Sequence, residues 1–133
     1  MSLLLDTHVW IWSQESPEKL GPEATACLTD PNTALHVSTI STLEIARLVT
    51  MGAIELEGSL LSWVNDTLDA LRCSTLEISH GIAVGAYSLP SDFHRDPADR
   101  ILASTARHFD LTLLTADEKM LGYRHLKSQV ARR

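Results

Sequence analysis

Five residues near the start of the chain, Leu3-Leu4-Leu5-Asp6-Thr7, decide the fold class. Three consecutive leucines do not alternate with polar residues, so a strand built from them has no face to give to water. Strands buried on both faces belong to mainly parallel sheets covered by helices. An acid follows the run at once. The same signature returns as Leu111-Thr112-Leu113-Leu114-Thr115-Ala116-Asp117. Between and around these runs, helix and strand patterns alternate. Residues 7–14 and 22–28 read as helices, the second with Pro22 in its first turn. Residues 34–38 read as a strand, and 39–51 as a helix closed by Gly52 just past its C-cap. Residues 59–71 form a helix with Leu60, Leu61, Val64, Leu68 and Leu71 on one stripe. A short strand is expected at 75–78, helices at 79–88, 97–109 and 118–121, and an edge strand where Leu126, Ser128 and Val130 alternate. Such alternation predicts an α/β domain, in which sites form at the carboxyl ends of the strands.

The bulk properties fit this reading. A length of 133 residues suits one domain, residues 1–133, and 44% hydrophobic with 21% charged residues is ordinary for a soluble globular protein. No apolar run approaches the roughly 20 residues that span a bilayer. The start has no basic region and meets an acid at position 6, so no signal peptide is expected and the cytoplasm is the expected compartment. Cys27 and Cys73 stand alone, as buried thiols do. The net charge is −6, but unevenly spread. Residues 1–93 hold three Lys/Arg against twelve Asp/Glu, a balance of −9, and residues 94–133 hold eight against five, a balance of +3. A polyanion would therefore meet the C-terminal third, although charge alone is equally consistent with a mixed solvated surface.

The residues just past each strand carry the chemistry. Asp6 and Asp117 each follow a buried strand and start a helix, so each is also an N-cap. Asp96 caps too, with Pro97 at the first helical position and Asp99 three residues on, as in a capping box. Capping does not account for all of them. Asp99 projects along Leu102, Ala103 and Ala106, a row that should face the sheet, and an inward acid there needs a partner that the sequence does not reveal. Arg100 projects toward Ser104 and Arg107, the expected wet side. Glu44 lies mid-helix among Ile40, Leu43, Ile45, Ala46, Leu48 and Val49, which is hard to reconcile with a wholly solvated position, though a snorkelling glutamate is compatible with it. Carboxylates brought to about 4 Å repel by on the order of 4 kcal/mol per pair at an effective dielectric near 20. A cluster of them protonates or takes up cations. Hard oxygen ligands suit Mg²⁺ or Mn²⁺, one or two ions of which promote phosphodiester hydrolysis.

Rival motifs are missing. The six histidines show no zinc spacing, and no GxGxxG, P-loop or GxSxG occurs. A phosphatase using Asp6 as nucleophile would need an acid two residues on, where His8 stands. Trp10 and Trp12, two apart, cannot share a helical face, so one belongs to the core and the other is half exposed.

Taken together, Leu3-Leu4-Leu5-Asp6-Thr7-His8 with Trp12, Ser38-Thr39-Ile40-Ser41 leading to Glu44-Ile45, His94-Arg95-Asp96-Pro97-Ala98-Asp99-Arg100-Ile101-Leu102-Ala103, and Leu113-Leu114-Thr115-Ala116-Asp117 give the chain its resemblance. It resembles the PIN-domain ribonucleases over nearly its whole length, and most of all the VapC-type toxins of toxin–antitoxin pairs. The resemblance implies a three-layer α/β/α sandwich with a mainly parallel sheet. It implies an acidic quartet of Asp6, Glu44, Asp99 and Asp117. Asp6 and Asp99 would be direct metal ligands, with Glu44, Asp117 and auxiliary Asp96 acting through water or a second ion. Thr7 and Thr115 would position water or a phosphate oxygen, and Arg100 would steer the RNA backbone or pair with an acid. The implied protein is a Mg²⁺-dependent endoribonuclease (Mn²⁺ substituting), a homodimer neutralised by a cognate antitoxin. A non-catalytic scaffold binding RNA or protein, and a housekeeping RNA-processing nuclease, are the alternatives.

Overall fold

A computed structural model describes residues 1–133. Its centre is β1 (Ser2–Leu5), which pairs in parallel with β2 (Ala34–Ser38) on one side and β4 (Thr112–Thr115) on the other. β3 (Ser74–Leu76) extends the sheet beyond β2, and β5 (Ser128–Val130) extends it beyond β4. The order is β3-β2-β1-β4-β5, every pair parallel. The direction of winding reverses between β1 and β4, and a crevice opens at such a switch point.

The leucine run explains the layering. Leu3 and Leu5 point into one core with Val9, Trp10, Ala24, Ile45, Trp63 and Val64, whereas Leu4 points into the other with Leu102, Ala103, Leu113 and Met120. All three leucines are fully buried, as a strand sandwiched between helix layers requires. On the first face lie α1 (Thr7–Glu15), α2 (Pro22–Thr29), α3 (Thr39–Thr50) and α4 (Leu60–Leu71). α6 (Pro97–His108) and α7 (Glu118–Leu121) cover the second. α5 (His80–Gly85) packs on α6, where Ser104 donates to the Ile82 carbonyl at 2.8 Å. A Cβ on Gly85 would lie 2.6 Å from the Ser104 hydroxyl, so this close approach requires glycine. No helix is long and apolar enough to cross a membrane.

The expected elements are present, with shifts that have physical causes. Residues 79–88 give only the short α5, capped by Ser79 and followed by turns, because Ala86, not a longer apolar stripe, fills the remaining core position. The third strand ends at Leu76 rather than residue 78, limited by its partner β2. Leu61 leaves the α4 stripe and is 69% exposed, because it is turned by about 100° from Leu60; Trp63, Val64 and Thr67 face inward instead. A 3-10 turn at Pro17–Lys19 was not foreseen. Gly52 sits past α3 with φ +73°, the conformation expected of it. Trp10 is the core tryptophan, donating to Thr67 Oγ1 at 2.8 Å, and Trp12 is half-buried.

Candidate metal centre

The five acids meet in one place. Asp6, Glu44, Asp96, Asp99 and Asp117 all line a cleft of about 380 Å³ at the carboxyl end of β1 and β4, together with His8, Trp12, Arg47, Leu48 and Ala116. Asp6 directly follows β1, and its backbone N–H still donates to the Leu114 carbonyl of β4 at 3.0 Å. Its Oδ1 caps α1 by accepting from Thr7 N at 2.7 Å, and its Oδ2 accepts from Thr115 Oγ1 at 2.5 Å. Thr115 Oγ1 in turn accepts from Asp117 N at 3.0 Å, so one buried hydroxyl fixes both strand-end acids. Thr7 donates to Ser41 Oγ at 2.9 Å and ties α1 to α3. Burial raises the Asp6 carboxyl above the usual carboxylate range, while Thr115, the Thr7 amide and His8 oppose the rise.

Glu44, Asp96 and Asp99 form the tightest group, with one oxygen from each within 4.8 Å of the others. Asp99 is buried on the inward row with Leu102, Ala103 and Ala106. Burial first, then the charges of Asp6, Asp96, Asp117 and Glu44, push its carboxyl up to about 8. Glu44 reaches the cleft from α3, and its nearest cation is Arg47, at 3.5 Å and largely solvated. Asp96, read as an auxiliary cap, both caps α6 through Oδ1 (Ala98 N 2.9 Å, Asp99 N 3.4 Å) and belongs to this inner trio.

Two residues differ from expectation. The partner Asp99 needed is His94, whose Nε2 lies 3.1 Å from Asp99 Oδ2. The approach is close but off line, so this buried nitrogen has no aligned hydrogen bond. His94 sits in a loop, where helical spacing says nothing; the inward acid itself was the signal, since a basic ring stood five residues before it. Arg100 pairs with no acid. Its guanidinium donates to the carbonyls of Ala86 (3.1 Å) and Phe93 (2.9 Å) and packs 5.0 Å from the Tyr87 ring centroid. The side thought wet is covered by α5, and Ser104 there is buried. Much of the C-terminal basic excess is likewise engaged within the fold: Lys127 with Asp110 at 2.6 Å, Arg132 with Glu118, and Arg107 on the His125 carbonyl. Arg95 and Lys119 remain free beside the acids and line the adjoining cleft with His94, Asp96, Asp99 and Asp117.

The donor set fits a hard divalent cation: carboxylate oxygens, no thiolate, and a central acid that burial holds near-neutral until positive charge arrives. The largest concavity, about 790 Å³, lies at the opposite end of the sheet, and Asp30 and Arg72 are the only charged residues lining it. Size does not outweigh chemistry in choosing between them.

The PIN domain family model matches residues 3–126. The chain is 34% identical over 124 residues to ribonuclease VapC22 of Mycobacterium tuberculosis, covering 93% of each chain. It is similar in fold to a chain of VapBC2 from Rickettsia felis bound to a promoter DNA fragment (TM-score 0.73, 16% identity, 98% of this chain and 99% of that one). A toxin–antitoxin complex from Klebsiella pneumoniae also shares the fold (TM-score 0.59, 21% identity, 92% and 93% covered).

Proposed function

The chain belongs to the PIN domain family, and from that premise we propose that it is a divalent-metal-dependent endoribonuclease, the toxin of a type II toxin–antitoxin pair. The observation that carries the reading is the convergence of five carboxylates on one cleft, with Asp99 raised to about 8 by burial and its neighbours. A nuclease is supported by the identity to a named ribonuclease over 93% of the chain.

Glu44, Asp96 and Asp99 are the nearest set of ligands, with Asp6 and Asp117 completing the cluster. A bound Mg²⁺, or Mn²⁺, would lower the pKa of a water and offset charge on the phosphoryl oxygens. Asp6 presents its remaining lone pairs in a fixed direction, because Thr7 N and Thr115 Oγ1 hold its two oxygens. Thr115 holds Asp117 in register with it. Asp99, with its carboxyl raised to about 8, would lose its proton to solvent on binding such a cation. Water would add to phosphorus as the bond to the 3′ oxygen breaks, one water proton passing through solvent to that oxygen, which leaves 5′-phosphate and 3′-hydroxyl ends.

An antitoxin is supported by the toxin–antitoxin complex among the similar folds, and an acidic cleft of this kind accepts a basic side chain. A homodimer is the expected assembly, to be checked by sedimentation. The deciding experiment incubates purified protein with RNA, with and without EDTA, beside Asp6→Asn and Asp99→Asn. Cleavage should require the divalent cation and disappear in both variants while they remain folded. Full activity in both folded variants would refute the proposal.

A further inference from the structure

Resting on the nuclease reading, we propose that Trp12 is the stacking platform for an unpaired base beside the scissile phosphate. Trp10 and Trp63 are buried, but Trp12 is half-buried and lines the same cleft as the five acids. Asp6 caps α1 and Trp12 lies six residues on, about 9 Å along the helix axis. A phosphate at the acids therefore brings the base of an adjoining nucleotide to the indole. The cleft is about 380 Å³, at the small end of ligand sites.

The surrounding charges favour the same ligand. The Lys19 ammonium lies 5.5 Å from the Trp12 ring centroid from outside the cleft lining, and the solvated Arg47 guanidinium and the His8 ring, 6.2 Å from the indole, line the cleft with Trp12. A cation over an exposed ring contributes roughly two- to fivefold in an equilibrium. A base stacked on an aromatic contributes roughly five- to 150-fold. The base therefore displaces the exposed lysine and leaves its ammonium free for a phosphate. In a duplex both faces of each base are already covered by neighbours, so only an unpaired base can use the ring. A protein side chain could also cover an indole, but the ring stands in the wall where the reacting phosphate must lie.

The test measures binding without cleavage, using Asp99→Asn protein, a fluorescein-labelled oligouridine dodecamer, and the same strand paired with oligoadenosine. Trp12→Leu keeps apolar bulk against the core but has no π-face, and it should weaken single-strand binding by roughly five- to 150-fold. Trp12→Phe should keep most of the affinity. Quenching of tryptophan emission by the unlabelled strand should be lost in both variants, since Trp10 and Trp63 stay buried. Equal affinity of a folded Trp12→Leu and its parent overturns the proposal, as does a parent that binds the duplex as tightly as the strand or binds neither. The nuclease reading fails separately, if the wild-type protein with Mg²⁺ cuts no RNA whatever stands at position 12.

Discussion

Replacing Asp99 by asparagine should stabilise the metal-free protein while ending its activity. In the native structure the Asp99 oxygens lie within 4.8 Å of Glu44 and Asp96. Two unit charges at that distance repel by about 3.5 kcal/mol at an effective dielectric of 20 and about 0.9 kcal/mol in water. The cleft is open on one side, so a net relief of about 1–3 kcal/mol is expected when the charge is removed. The sign follows from linkage. The folded carboxyl sits at about 8, above its ordinary 3.8, so the folded state holds the proton more tightly. Stability from this group is complete below the ordinary value and is lost as pH rises through about 8. Thermal melts in EDTA should therefore show Asp99→Asn higher than wild type by about 3–10 °C at pH 9. The gap should narrow at pH 6, where native Asp99 is protonated, and close only below the ordinary value of 3.8, where the unfolded chain holds that proton too. Saturating Mg²⁺, worth about 2.7 kcal/mol at a hundredfold excess over Kd, should raise the wild-type Tm and leave the variant behind. A variant less stable than wild type in EDTA at both pH values would refute the electrostatic account.

Three further substitutions probe the supports. Thr115→Val keeps the shape but leaves Asp6 Oδ2 and Asp117 N without their shared hydroxyl, so it should cost about 1–3 kcal/mol and weaken metal binding about 10- to 100-fold, read by denaturation and calorimetry. Arg100→Lys cannot bridge the Ala86 and Phe93 carbonyls and should lose about 1–3 kcal/mol; an unchanged melt would show that the strap contributes nothing. Asp96→Ser retains a good N-cap but removes a carboxylate from the inner trio, so Mg²⁺ affinity should fall while the Tm in EDTA holds or rises.

The layering was legible from Leu3-Leu4-Leu5 because a strand sandwiched between helices has no polar alternation to disguise it. The inward direction of Asp99 was legible because helical periodicity carries it past Leu102 and Ala103. What lay across the chain was not. His94 reaches Asp99 from a loop, and loop geometry leaves no period in the sequence. Arg100 was misread because its wet side becomes dry only when α5 packs on α6, a tertiary contact between segments that show no mutual pattern. Asp96 was ranked low because its cap explained it completely, and local sufficiency hides a second use.

That second use is the principle on which the cleft is built. Asp6, Asp96 and Asp117 each give Oδ1 to an amide at a helix start: Thr7 N for α1, Ala98 N for α6, Lys119 N for α7. A carboxylate has about four lone-pair sites, so a cap consumes a quarter of its capacity and fixes the direction of the rest. Capping and metal binding therefore do not compete; the first aims the second. The caps also bring the N-termini of α1 and α6 to one cleft, each carrying about half a positive charge, with the single-turn α7 beside them. That positive field lies beside the acids before any cation does, and it lowers the cost of gathering five carboxylates in a metal-free chain. Asp99, like Glu44, has no cap bond of its own; it sits in the first turn of α6 and is as buried as Asp6. With no amide donor on its oxygens, burial first and then the charges of the four other acids drive its carboxyl up to about 8.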